Sequence, residues 1–225
     1  MTNKNIFVAC DVSSQKEIID LLELIHNDVS GIKIGLQYIT QRSPEEIREL
    51  SKFKKPIFYD GKFFDIKNTL VESIKSLKNL NVSYATIHLL NGLDALKAAN
   101  QTAQEINLKL LGVSILTSFN DKDLKSLGFN NNVKDQVKRL IEIAMEADLH
   151  GVICSPLEIK MIKEIAPKLK CFTPGIRMGN AKDDQKRTMT ANEAVKEGSD
   201  CLIIGRPITK GNPKENIKNI LLSID

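Results

Sequence analysis

The chain has 225 residues, 42% of them hydrophobic and 27% charged, the balance of an ordinary globular protein with enough apolar material for a large core. Its formal net charge of +4 is spread thinly, no basic cluster is interleaved with aromatics, and there is no Trp. Composition therefore gives no footing for nucleic-acid or membrane binding. The polar start, Met1 to Asn5, runs straight into an apolar segment without a signal-peptide core, so a cytoplasmic protein is expected.

Short apolar runs alternate with amphipathic segments along the chain. Ile6–Asp11 reads as the first strand, and Ser13 or Ser14 as the cap of a helix reaching Ile25. Gly31–Gly35 is the second strand. Ser43-Pro44-Glu45-Glu46 has the cap, first-position proline and early acids of a helix start. The third strand spans Pro56–Tyr59, before a helix over about 68–79. Val82–Leu89 is the fourth strand, with its helix from Gly92 to Ile106, and Leu108–Leu116 is the fifth.

A short helix over 121–127, a turn-rich stretch and a helix over 133–147 follow. The sixth strand is Gly151–Cys154 with a helix over 156–166, and the seventh is Lys170–Thr173. Ile176–Thr188 is polar without a hydrophobic period. A helix over 191–197 stops at Gly198; Cys201–Ile204 is the eighth strand, and a helix over 214–223 closes the chain. Strands this uniformly apolar belong to a parallel sheet buried on both faces. Eight strand–helix units in one chain of this length predict an α/β fold, a single-domain (β/α)8 TIM barrel over residues 1–225. Cys10, Cys154, Cys171 and Cys201 lie in or beside apolar runs without metal-like spacing and are expected to be reduced.

Barrel enzymes draw their reactive groups from the C-terminal ends of the strands. Those ends carry Asp11, Lys33, Asp60 with Lys62, His88, Thr117-Ser118, Ser155, Thr173-Pro174-Gly175 and Gly205-Arg206. Asp60 and Lys62, two apart in a strand, point to the same face. Asp65 faces the same site if the chain has begun to coil after Lys62. Charges converging where a buried strand ends are costly unless they pair or work. A lysine between carboxylates is favoured as the ammonium, which suits a proton donor better than a general base. Gly205 and Arg206 after the eighth strand read as a phosphate anchor. The loop after the seventh strand, with Arg177, Lys182, Gln185, Lys186 and Arg187, reads as a mobile lid over that phosphate.

The run Asp60-x-Lys62-x-x-Asp65-Ile66-x-x-Thr69 resembles the signature of the orotidine 5'-phosphate decarboxylase family, in its bacterial branch. Further matches are Ala9-Cys10-Asp11, Ile32-Lys33-Ile34-Gly35, Leu116-Thr117-Ser118, Thr173-Pro174-Gly175-Ile176-Arg177, Asp184-Gln185 and Ile204-Gly205-Arg206-Pro207-Ile208, in order from end to end.

The resemblance implies conversion of orotidine 5'-phosphate (OMP) to UMP and CO₂, the last step of de novo UMP synthesis, with no metal and no organic cofactor. It assigns Lys62 as proton donor to C6 of the pyrimidine and sets Asp60 against the departing carboxylate, with Lys33 and Asp65 completing the charge network. By the same resemblance Asp11 and Lys33 are expected to bind ribose hydroxyls, Thr117 or Ser118 the pyrimidine, and Arg177, Gln185, Gly205 and Arg206 the phosphate, with Pro174 among the substrate-binding residues. Asp65, Ile66 and Thr69 reach the partner's site, so a homodimer with shared active sites is implied.

Gly61, Phe64 and Lys67 depart from the family pattern, which favours a bulky apolar residue, a histidine, and Pro, Ala or Gly at those places; none removes a charged group. Two other readings compete. Mg²⁺-dependent sugar-phosphate enzymes, such as 3-hexulose-6-phosphate synthase and 3-keto-L-gulonate-6-phosphate decarboxylase, share the DxKxxD but carry a glutamate where Lys33 stands. A non-catalytic nucleotide-binding barrel would have no need for so much costly charge.

Overall fold

In the computed structural model, which describes residues 5–177 and 187–224, eight parallel strands close into one barrel in sequence order. The strands are β1 (Ile6–Cys10), β2 (Gly31–Gly35), β3 (Ile57–Phe63), β4 (Tyr84–His88), β5 (Lys109–Val113), β6 (Gly151–Ile153), β7 (Lys170–Thr173) and β8 (Cys201–Ile204). β1 pairs with β8 through Ile6↔Leu202 to Val8↔Ile204, which closes the ring. Helices lie between successive strands, their apolar faces packed on the outside of the barrel; Ile18, Leu21, Leu22 and Ile25 of the first helix, Gln15–Ile25, are all buried.

The alternation of side chains along each strand builds the interior in layers. Phe7, Phe58, Tyr84 and Phe172 fill the lower layer with edge-to-face and tilted ring contacts, Phe7 to Tyr84 at 5.6 Å. Gly31 makes room for them: a Cβ there would fall 2.2 Å from the Phe7 ring. Two residues further along these strands the interior turns polar. Phe58 is followed by Asp60 and Lys62, Gly31 by Lys33, and Phe7 by the small Ala9 and then Asp11. The aromatic floor thus carries a polar cup at the C-terminal ends of the strands.

Several boundaries differ from the sequence reading. β3 runs four residues beyond Tyr59, so Asp60, Gly61 and Lys62 lie within it, with a register shift against β4 between Tyr59 and Phe63. β4 and β5 are shorter than predicted, because the residues beyond His88 and Val113 leave the ladder for loops. A short helix, Leu36–Ile39, follows β2 directly and was not legible in the sequence. The four cysteines are free and buried. Burial pushes the Cys10 thiol up to about 12. No described helix is long and apolar enough to cross a membrane.

Candidate active site

A cavity of about 330 Å³ opens at the C-terminal end of the barrel. Its walls include Asp11, Lys33, Asp60, Lys62, Thr117, Pro174, Gly175, Arg177, Gly205 and Arg206, so strand ends far apart in sequence meet there. β3 and β7 stand on opposite sides of the ring. The charges of β3 therefore face the Arg177 loop across the mouth.

The centre is a chain of alternating charges. Lys62 Nζ lies 2.8 Å from Asp60 Oδ2, Lys33 Nζ lies 3.6 Å from the same oxygen, and Lys33 donates to Asp11 Oδ1 at 2.9 Å. Asp60 and Lys33 side chains are 13% and 9% exposed, whereas Asp11 is 58% exposed at the rim. Burial opposes ionisation of Asp60. Lys33 and Lys62, with hydrogen bonds from Lys62 and Thr86, outweigh it and hold the carboxyl below the usual carboxylate value. Burial likewise works against the Lys33 ammonium, but Asp60 and Asp11 hold its pKa above that of an ordinary lysine. Asp60 is thus kept as the anion and Lys33 as the cation.

The position of Lys62 depends on an uncommon backbone. Its φ is 47°, in the left-handed region that costs a non-glycine residue about 1–2 kcal/mol. Thr86 of β4 holds the distortion: the Lys62 N–H donates to Thr86 Oγ1 at 2.8 Å, and the same hydroxyl donates to Asp60 Oδ1 at 3.0 Å. Thr86 is fully buried and was missed in the sequence. The strand-four group singled out there, His88, instead accepts the Leu90 N–H at 3.3 Å and rests 5.4 Å from the Phe64 ring. The sign that marked Thr86 is its parity: it is the inward residue between Tyr84 and His88 of β4.

Gly61 has a local purpose. Tyr59 and Phe63 stack with ring centroids 5.8 Å apart at 5°, and a Cβ on Gly61 would fall 2.7 Å from Tyr59 Cε1. A bulky side chain at this position is incompatible with that stack.

Asp65 does not follow the helical expectation. The next helix, Lys67–Ser76, begins after it, so the segment from 64 to 66 is a loop. The Asp65 N–H donates to Asn91 Oδ1 at 3.0 Å, and its carboxylate accepts the Ile66 N–H at 2.7 Å. Asn91 in turn donates to the carbonyls of Phe63 at 3.0 Å and His88 at 2.7 Å. Asp65, Ile66 and Thr69 are exposed and do not line the cavity of their own chain, and Ser118 is an exposed neighbour of the wall residue Thr117. Lys67 pairs with Asp94 at 3.5 Å on the surface.

On the far side, Gly175 takes φ 82°, and Arg177 is buried with its Nη1 donating to the Ile176 carbonyl at 2.8 Å. The chain returns beside it: the Arg177 N–H donates to the Met189 carbonyl at 3.0 Å. Gly205 and Arg206 lead into a helical turn, Arg206–Thr209. Gln185, Lys182 and Lys186 lie outside the described residues. Arg187 does not join the anion-binding group predicted for its loop; its guanidinium bonds the buried Glu158 carboxylate and the Leu116 carbonyl, the latter at 2.9 Å. Among the described residues no cluster of three or more His, Cys, Asp or Glu is arranged to hold a metal ion.

Comparison with known proteins gives the family. The profile of the family described as Orotidine 5'-phosphate decarboxylase / HUMPS matches residues 4–220. The orotidine 5'-phosphate decarboxylase of Wolbachia sp. subsp. Brugia malayi (strain TRS) is 38% identical over 218 residues, 96% of this chain and 97% of that protein. That of Wolbachia pipientis subsp. Culex pipiens (strain wPip) is 39% identical over 221 residues, covering 97% and 98%. Among solved structures, orotidine 5'-phosphate decarboxylase from Lactobacillus acidophilus is similar with a TM-score of 0.87 at 28% identity, covering 99% of this chain and 100% of that one.

Proposed function

The chain belongs to the orotidine 5'-phosphate decarboxylase / HUMPS family as a carboxy-lyase, and on that premise we propose that it converts OMP to UMP and CO₂ with Lys62 as the proton donor. The observation that carries this reading is Asp60, held as the anion between Lys33 and Lys62 on one wall of the cavity, with Arg177 and Arg206 across the mouth.

The substrate lies across the mouth, its phosphate at Arg177, Gly205 and Arg206, with Gln185 assigned there by the family motif. Its ribose hydroxyls meet Asp11 and Lys33, and its base lies against Thr117 and Pro174. The carboxylate at C6 points to Asp60 and Lys62. As the bond from C6 to the carboxylate carbon breaks, CO₂ departs and the electron pair stays on C6. The Lys62 ammonium stabilises that carbanion and delivers its proton to C6; the resulting amine regains a proton from water. Charges fixed in place by the fold need little reorganisation at that moment, which is where such a site gains its advantage over water. Binding of the remote phosphate supplies energy that helps hold the substrate carboxylate against Asp60.

The assembly is a homodimer in which Asp65, Ile66 and Thr69 enter the partner's site. Their absence from their own cavity supports this, as does the exposure of Phe64 (63%), Ile66 (74%) and Leu90 (39%) beside the mouth. The reaction serves UMP synthesis in the cytoplasm.

Lys33 separates this reading from the Mg²⁺-dependent branch, because its ammonium, paired with both Asp11 and Asp60, repels a dication from those carboxylates. The test is loss of orotidylate absorbance with purified enzyme, with and without EDTA. Decarboxylation insensitive to EDTA is expected. Tight UMP binding without turnover contradicts the catalytic role, and activity abolished by EDTA and restored by Mg²⁺ contradicts the metal-free mechanism.

A further inference from the structure

Arg187 and Glu158 form an ion pair outside the cavity, with side chains only 14% and 6% exposed. The guanidinium also donates from Nη2 to the carbonyls of Leu116 at 2.9 Å and Ile115 at 3.3 Å. These carbonyls lie beyond the end of β5 at Val113, outside the strand ladder; Leu116 also accepts the Phe119 N–H at 2.9 Å. The second Glu158 oxygen accepts the Ser155 N–H at 2.9 Å, just past β6. Two residues after Arg187, Met189 donates its N–H to the Gly175 carbonyl at 3.2 Å. One ion pair therefore ties the exits of β5 and β6 to each other, while the Met189 backbone braces the Arg177 loop independently.

A buried ion pair is a weak source of stability, since desolvating both charges offsets most of their attraction. What this one supplies is position. Ile115, Leu116 and Thr117 form a cavity wall, and Arg187 holds the carbonyls of the first two.

We propose that Arg187, anchored by Glu158, is a positioning residue that fixes the Ile115–Thr117 wall and thereby sets the base-dependent part of nucleotide affinity. This rests on the functional reading above, in which the pyrimidine lies against that wall. Neither residue touches the ligand. The ribose and phosphate are held by Asp11, Lys33, Arg177 and Arg206, and the Arg177 loop keeps its own backbone bonds to Met189 when the Arg187 side chain is changed.

The experiment compares UMP with ribose 5-phosphate as calorimetric probes, using wild type, Arg187→Lys and the paired variant Arg187→Met/Glu158→Gln. The pair avoids stranding a lone buried carboxylate, and Gln keeps an acceptor for the Ser155 N–H. In the paired variant UMP affinity is expected to fall by roughly ten-fold or more, the scale set by a wall misplaced by under an ångström, with ribose 5-phosphate unchanged within about two-fold. Arg187→Lys, which keeps the charge but not the fork, is expected to lie between. Equal weakening of both ligands, or no change in either, overturns the proposal. A wild-type protein that binds ribose 5-phosphate but not UMP overturns the functional reading first, so the two failures are told apart by the wild type alone.

Discussion

The Thr86 hydroxyl donates to Asp60 Oδ1 across 3.0 Å, and this bond fixes the carboxylate around which the cup is built. The hydroxyl also accepts the Lys62 N–H at 2.8 Å, so one side chain on β4 sets both the anion and the backbone of the proposed proton donor. Thr86→Val keeps the shape and removes both bonds. It leaves a buried acceptor and a buried donor without a partner, at about 1–3 kcal/mol each. Turnover is expected to fall by roughly 10–100-fold, with KM changed far less, because the loss falls on groups aimed at the reacting centre. Thr86→Ser, which retains the hydroxyl, is expected to restore most of it. Steady-state kinetics of the two variants checks this, and a fully active Thr86→Val enzyme contradicts it.

Gly61 is expected to resist substitution for a reason unrelated to glycine's conformational freedom. Gly61→Ala pushes a methyl group into the Tyr59 ring, 2.7 Å away, and must break the Tyr59–Phe63 stack or move the strand that carries Lys62. Overpacking of this kind costs about 1–3 kcal/mol. In Tyr59→Ala the ring is gone, so adding Gly61→Ala to it is expected to cost little further. Denaturant unfolding of the two single variants and the double gives the coupling between the sites. Additive losses contradict the account.

Two histidines make stability rise with pH, against the smaller opposing trend from Glu158, whose carboxyl is pushed up by burial. Burial, with Lys62 nearby, holds the His88 pKa below the ordinary 6.5. Burial and the neighbouring Lys109 and Lys170, opposed by Asp200, do the same for His150. The unfolded chain therefore binds more protons below about pH 6.5, and stability rises with pH through that window. Asp60 acts elsewhere: its stabilisation is full above the unfolded value of 3.8 and is lost only as pH falls further. Melting temperature is expected to drop from pH 7.5 to pH 5.5, and to drop less in His88→Asn/His150→Asn. Equal slopes for the variant and the wild type contradict the assignment.

Much of the barrel was legible because its strands are uniformly apolar and evenly spaced. Asp60 and Lys62 were legible as a pair because the strand period puts residues two apart on one face, although the left-handed backbone that sets Lys62 was not. The helical expectation for Asp65 failed because the loop before Lys67 follows no period; its course is set by Asn91, 26 residues on. Thr86 was hidden because a threonine in a strand satisfies β-propensity alone and advertises no chemistry. Arg187 was grouped with the anion-binding cations of its loop because charge was all the sequence offered. Its acceptors are Glu158, 29 residues back, and the Leu116 and Ile115 carbonyls past β5, 71 and 72 residues back, and only the closed barrel brings them together.

The account stands or falls on Lys62, which is 34% exposed at the cavity wall and bound to Asp60 at 2.8 Å. The direct measurement is turnover of OMP by Lys62→Ala alongside its affinity for UMP. The account predicts turnover lost by roughly four orders of magnitude or more, as when a group that both stabilises charge and transfers the proton is removed, with UMP binding still measurable. A Lys62→Ala enzyme that decarboxylates OMP at a rate near that of the wild type would contradict it.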